Sequence, residues 1–195
     1  VKQDIARHVV HALALALSPG SAAELQTLGT ANGEAYDLYL QGKDYSSRAT
    51  TREQQEIAHT LFGRAFALDP QFTQALAGQC RAGIGLYNWS RETADYRRAL
   101  ATCARLAVLA DDSLESRLAL ADLGRAAGTC DEVVALYRQL IDDAPALEPA
   151  YYGLARCLET LNDFEGAEDA YRRSVDLERR NWQVYLGYSG FLYRQ

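Results

Sequence analysis

Tyr151-x-x-Leu154-Ala155-x-x-Leu158 returns 34 residues later as Tyr185-x-x-Tyr188-Ser189-x-x-Leu192. Spacings of three and four put such residues on one face of a helix. A chain that repeats a helical face at so short an interval does not wrap a single globular core. Each unit buries its apolar face on the next. A second pattern alternates with the first: Ala58, Phe62, Ala65, then Pro70; Val133, Tyr137, Leu140, then Pro145; Ala167, Tyr171, Ser174. In this helix the flanking residues let a neighbour approach and one aromatic fills the gap.

The punctuation agrees. Pro19, Pro70 and Pro145 follow helical runs, and Pro149 fits the first turn of a helix, where its missing N–H costs nothing. No stretch shows sustained strand alternation or a hairpin signal. Gly78, Gly153 and Gly187 share one helix position, where a side chain is expected to hold two backbones apart. Gly128, with Asn162 at the equivalent turn, is placed for a left-handed helix cap.

A helix-turn-helix of 34 residues carrying these spacings resembles the tetratricopeptide repeat. Tyr or Leu stands for the family's Trp, and Ala or Ser often for its first Gly. The resemblance covers most of the chain and implies an all-α, right-handed solenoid of antiparallel helix pairs. Residues 1–33 are expected to form an N-terminal helix and linker. Repeats are expected at 34–72 and 73–113 (both extended), 114–147 and 148–181, with residues 182–195 as the first helix of a truncated further repeat. The extra length is assigned to a link around Ser46–Arg52 and a wide turn around Tyr87–Glu92. With no methionine, the chain is expected to be a piece of a longer protein that continues past Gln195 with another helix.

A second resemblance concerns the N-terminal flank. Ile5-Ala6-Arg7, the apolar stretch to Leu17, Ser18-Pro19, and Glu34-Ala35-Tyr36-Asp37-Leu38-Tyr39-Leu40-Gln41-Gly42 are similar to a junction in large bacterial signalling proteins. There a TolB-like segment runs into tetratricopeptide repeats. It implies an upstream serine/threonine kinase, adenylate cyclase or winged-helix domain, and transfers no catalytic residue.

With 48% apolar residues the chain can bury a core, and a net charge of −6 argues against nucleic acid or an anionic membrane as its main partner. Val9–Leu17 is far shorter than the roughly 20 residues of a membrane span and reads as an amphipathic helix. Cys80, Cys103, Cys130 and Cys157 show no CxxC spacing and no nearby histidine. They read as buried free thiols in a reducing, cytoplasmic compartment.

No constellation of a catalyst emerges. Gly83-Ile84-Gly85 lies in a helical pattern and lacks the rest of a dinucleotide fingerprint. His8 and His11 have no third ligand nearby, and Asp111-Asp112 and Asp142-Asp143 read as turn residues. Asn88-Trp89-Ser90 matches a glycosylation acceptor, read here as coincidence. The chain is therefore expected to be non-enzymatic, with no cofactor and no metal.

What remains is the inner face of the first helices, the concave groove of such a solenoid. The resemblance places there Ala77, Arg81 and Ile84; Leu118, Asp122 and Arg125; Tyr152, Arg156, Glu159 and Thr160; and Leu186, Gly190 and Tyr193. Aromatic and arginine side chains are the types that anchor peptides. Partner-binding residues are thus expected at Arg81, Asp122, Arg125, Tyr152, Arg156, Glu159 and Tyr193. Leu118/Asp122 and Tyr152/Arg156 lack the Lys and Asn of the family's chaperone clamps. The expected function is protein–protein interaction, with a protein or peptide partner. The alternatives are a regulatory region in a kinase or cyclase chain, or an oligomerisation module. An apolar face at Tyr188, Phe191 and Leu192 is expected to be exposed and to favour a homodimer.

Overall fold

A computed structural model of the chain describes residues 29–109, 112–179 and 181–195. The expected helix at Val9–Leu17, most of the 1–33 segment, the His8/His11 pair and Asp111 lie outside the described residues. Among the described residues the structure is helical throughout, without strands. The helices are α1 (Gly33–Arg48), α2 (Arg52–Leu68), α3 (Thr73–Ser90), α4 (Thr93–Val108), α5 (Leu114–Ala127), α6 (Cys130–Asp143), α7 (Glu148–Thr160), α8 (Phe164–Leu177) and α9 (Trp182–Arg194). Consecutive helices pack as antiparallel pairs, and each odd-numbered helix touches the next odd-numbered one. The architecture is a solenoid of helix pairs.

Local chemistry sets the helix starts. Asn32, Thr51, Ser113, Asp163 and Asn181 each accept a hydrogen bond from a backbone N–H in the first turn of α1, α2, α5, α8 and α9. Such caps satisfy donors that have no partner inside the helix. Gly128 ends α5 at φ 89°, and Asn162 follows α7 at φ 63°. Arg91 ends α3 in the same left-handed region, at φ 56°, although that conformation costs a residue with a Cβ roughly 1–2 kcal/mol. The extra length of the first two helix pairs sits in the helices themselves. Only residues 49–51 join α1 to α2, and only Arg91 and Glu92 join α3 to α4, so neither link is the wide one expected.

The apolar faces merge into two clusters that meet in α5. Ala119 faces the cluster of α1–α4, while Leu118 and Ala121 face that of α5–α9. Phe62, Tyr137 and Tyr171 are buried between neighbours, as their spacing predicts. The shared glycine position makes room for an aromatic ring rather than for a second backbone. A Cβ at Gly78 would lie 2.7 Å from the Phe62 ring, and at Gly153 2.3 Å from the Tyr137 ring. Gly42, on the other side of Phe62, is equally tight at 2.9 Å.

Two further expectations are overturned. The cysteines are not free thiols. Cys80 of α3 is bonded to Cys103 of α4, and Cys130 of α6 to Cys157 of α7, each pair with Cα atoms 5.0 Å apart. The first bridge staples the two helices of one pair and the second ties one pair to the next. The face of α9 is also one residue out of the expected register. Val184, Gly187 and Phe191 are buried, and Tyr188 stacks on Tyr171 with ring centroids 5.5 Å apart. Of the residues expected to be exposed, Leu192 is, Tyr188 is half-buried and Phe191 is buried; Tyr185, Leu186 and Tyr193 are exposed as well.

Candidate functional site

The inner faces of α3, α5, α7 and α9 enclose an open groove of about 560 Å³. Arg81, Asp122, Arg125, Tyr152 and Arg156 all line it. Ile84 and Thr160 join them, whereas Ala77 and Leu118 are turned into the core. Tyr193 is not brought to the groove; it is 93% exposed on α9.

Asp122 sits at the floor and is consumed by its own protein. It accepts from the Arg81 Nε at 2.9 Å, from the Tyr137 hydroxyl at 2.8 Å and, more loosely, from Arg125 at 3.5 Å. Burial pushes the Tyr137 hydroxyl pKa well above its ordinary value, and the Asp122 charge adds to this, so the phenol stays a donor. For Arg125 burial opposes the charge. Asp122, followed by Tyr137, more than compensates, and its pKa ends raised.

The same device recurs one repeat on. The Tyr171 hydroxyl donates to Glu159 at 2.9 Å, and Arg194 of α9 donates to the other oxygen through Nε at 3.1 Å and through a terminal nitrogen. Arg156 stands 3.8 Å from Glu159. Tyr152 is fixed from behind: its ring meets Tyr171 edge-on at 6.1 Å and lies against Gly187, where a Cβ would be 2.8 Å away. Asp122 and Glu159 are therefore both held from within by tyrosine and arginine side chains, and the groove lining includes the arginines Arg81, Arg125 and Arg156 together with aromatic and neutral polar side chains.

Several lining residues were missed. Asn88 and Trp89 come from the last turn of α3, Glu148 from the start of α7, and Asn181, Trp182 and Gln183 from the start of α9. Asn88 was legible, since Arg81, Gly85 and Asn88 continue one helix face at spacings of four and three. The α7 and α9 termini carried no such signal, because only the stacking of pairs brings helix ends to the channel. Among the described residues no three His, Cys, Asp or Glu side chains gather as metal ligands. Nor is any described helix long and apolar enough to cross a membrane.

No family model matches this chain, and no curated protein sequence matches it. Solved structures do. TTC0263, a thermophilic TPR protein in Thermus thermophilus, aligns with a TM-score of 0.61 at 16% identity, covering 82% of each chain. A MamA RS-1 ArsTM double mutant aligns at 18% identity over 81% of this chain and 85% of that one, with a TM-score of 0.48. The first likeness, with the helix pairs above, makes the fold an all-α solenoid of tetratricopeptide type.

Proposed function

We propose that the chain is a non-catalytic protein-interaction scaffold that holds a peptide or a partner domain in its concave groove. One observation carries this: four inner helices converge arginine and aromatic side chains on a single open channel, and internal struts hold several of them in place. Preorganised aromatic and arginine anchors lower the ordering cost of binding. The net charge of −6 supports a protein partner over nucleic acid. Photo-crosslinking tests the surface. A benzophenone amino acid at Asn88, in the groove, is expected to capture the partner. Capture only from Leu100, on the outer helix α4, moves the interface to the other side.

The context we propose is the repeat region of a larger bacterial regulatory protein, with a kinase or cyclase chain as the form suggested by the motifs around Ile5–Leu17 and Glu34–Gly42. The cytoplasmic expectation rests on free thiols. With the cysteines paired, an oxidising compartment is better supported. A weak homodimer through α9 is the second reading, favoured by the exposed Leu186, Leu192 and Tyr193. Sedimentation over a concentration series tests it.

A further inference from the structure

Taking the groove as the binding surface proposed above, we infer that it selects an acidic peptide: an internal, extended segment whose Asp or Glu side chains pair with Arg156 and Arg91, with an apolar residue set against α9.

The charge of the groove is opposite to that of the molecule. The chain carries −6 overall, yet among the described lining residues Arg81, Arg91, Arg125 and Arg156 face only Asp122 and Glu148. Both carboxylates are already engaged from within. Asp122 takes Arg81, Tyr137 and Arg125. Glu148 takes the Ser174 hydroxyl at 2.5 Å, and burial raises its pKa.

The cations are less completely met. Arg156 has its ion pair at 3.8 Å, with a Glu159 already held by Tyr171 and Arg194. Arg91 lies over the Tyr87 ring at 5.7 Å and has no carboxylate partner among the described residues. The Arg125 Nε is buried without an acceptor among them. A concave channel with protein walls concentrates the field of such charges, so it attracts anions more strongly than a flat patch does. Guanidinium forks then bind carboxylates in a fixed geometry. At the α9 end Trp182 and Leu186 join the lining, Leu186 at 62% exposure, and this is the place for an aliphatic or aromatic side chain of the ligand.

Selection from a phage library of random dodecapeptides tests this, followed by binding of synthetic winners acetylated and amidated at their ends. The wild type is compared with Arg91→Gln/Arg156→Gln, which removes charge, and with Asn88→Trp, which fills the groove without changing charge. Circular dichroism confirms that each variant keeps its helices. The expected winners are rich in Asp and Glu. Their Kd rises about tenfold or more in the arginine variant, rises with salt, and their binding is lost in Asn88→Trp. Neutral or basic winners, or acidic ones indifferent to the arginine variant, that are still blocked by Asn88→Trp overturn the acidic assignment and leave the groove standing. Winners that bind Asn88→Trp as well as wild type, or no winners at all, overturn the groove itself.

Discussion

The Tyr137 hydroxyl donates to the Asp122 carboxylate across 2.8 Å, tying the outer helix α6 to the inner helix α5 under the groove. The tyrosine ring fills the space over Gly153 of α7, and the carboxylate steadies Arg81 of α3. One pair of residues thus links four helices and connects the packing of the solenoid to the charges it displays. Tyr137→Phe keeps the ring and removes the donor. It is expected to cost about 1–2 kcal/mol in urea unfolding, because a buried carboxylate loses one partner. Tyr137→Ala is expected to cost about 3–5 kcal/mol, because the ring is lost as well. Equal stability of Tyr137→Phe and wild type would show that the arginines alone satisfy Asp122.

Glycine at position 153 is expected to reverse the usual helix rule. Replacing an exposed helical glycine by alanine gains up to about 1 kcal/mol. At Gly153 the new methyl would sit 2.3 Å from the Tyr137 ring, and the ring is fully buried with no room to retreat. Gly153→Ala is therefore expected to destabilise by about 1–3 kcal/mol. Gly33→Ala, with nothing within 4 Å of the added atom, is expected to be neutral or stabilising. Thermal melts of the two variants moving in opposite directions would support the assignment.

The disulfides close loops with sequence separations of 23 and 27 residues. Chain entropy predicts about 3 kcal/mol of stabilisation from each. Alkylation of the native protein without reductant is expected to modify none of the four cysteines. Cys80→Ala/Cys103→Ala and Cys130→Ala/Cys157→Ala should each lower the melting temperature by several degrees. Four alkylated cysteines in the native protein would instead restore the free-thiol expectation and the cytoplasmic placement with it.

Acid is expected to weaken the fold through His59. Its ring is buried, its Nδ1 meets Arg98 at 2.9 Å, and its pKa is lowered from 6.5 to about 4, first by burial and then by the Arg98 charge, with Glu56 opposing. The unfolded chain therefore takes up this proton before the folded one does. Stability is fully present above pH 6.5 and declines as pH falls towards 4, by on the order of 2 kcal/mol. His59→Gln should flatten that part of the profile in denaturant titrations at pH 4–7. An unchanged slope would place the acid sensitivity elsewhere.

What the sequence determined by itself was the helical solenoid and the aromatic knots inside it. Caps, prolines and spacings of three and four act within one or two turns, so they can be read along the chain. For the same reason Phe62, Tyr137 and Tyr171 could be assigned to the interior. Much of the groove lining, at Arg81, Arg125, Tyr152 and Arg156, followed from the resemblance to the tetratricopeptide repeat, whereas Tyr193, placed there by the same resemblance, is not among the lining residues. The tertiary structure decided everything that depends on a side chain arriving from another helix. Cysteine pairing needs two Cα atoms 5.0 Å apart, a distance that sequence separations of 23 and 27 leave open. Whether Asp122 and Glu159 serve a ligand or the protein depends on tyrosines from α6 and α8 and on arginines from α3 and α9. The buried stripe of α9, Val184, Gly187 and Phe191, lies one residue from the expected face, with Tyr188 and Phe191 both against the Tyr171 ring. A side chain's solvation and partners are fixed by what packs against it, and in a solenoid that is the neighbouring repeat.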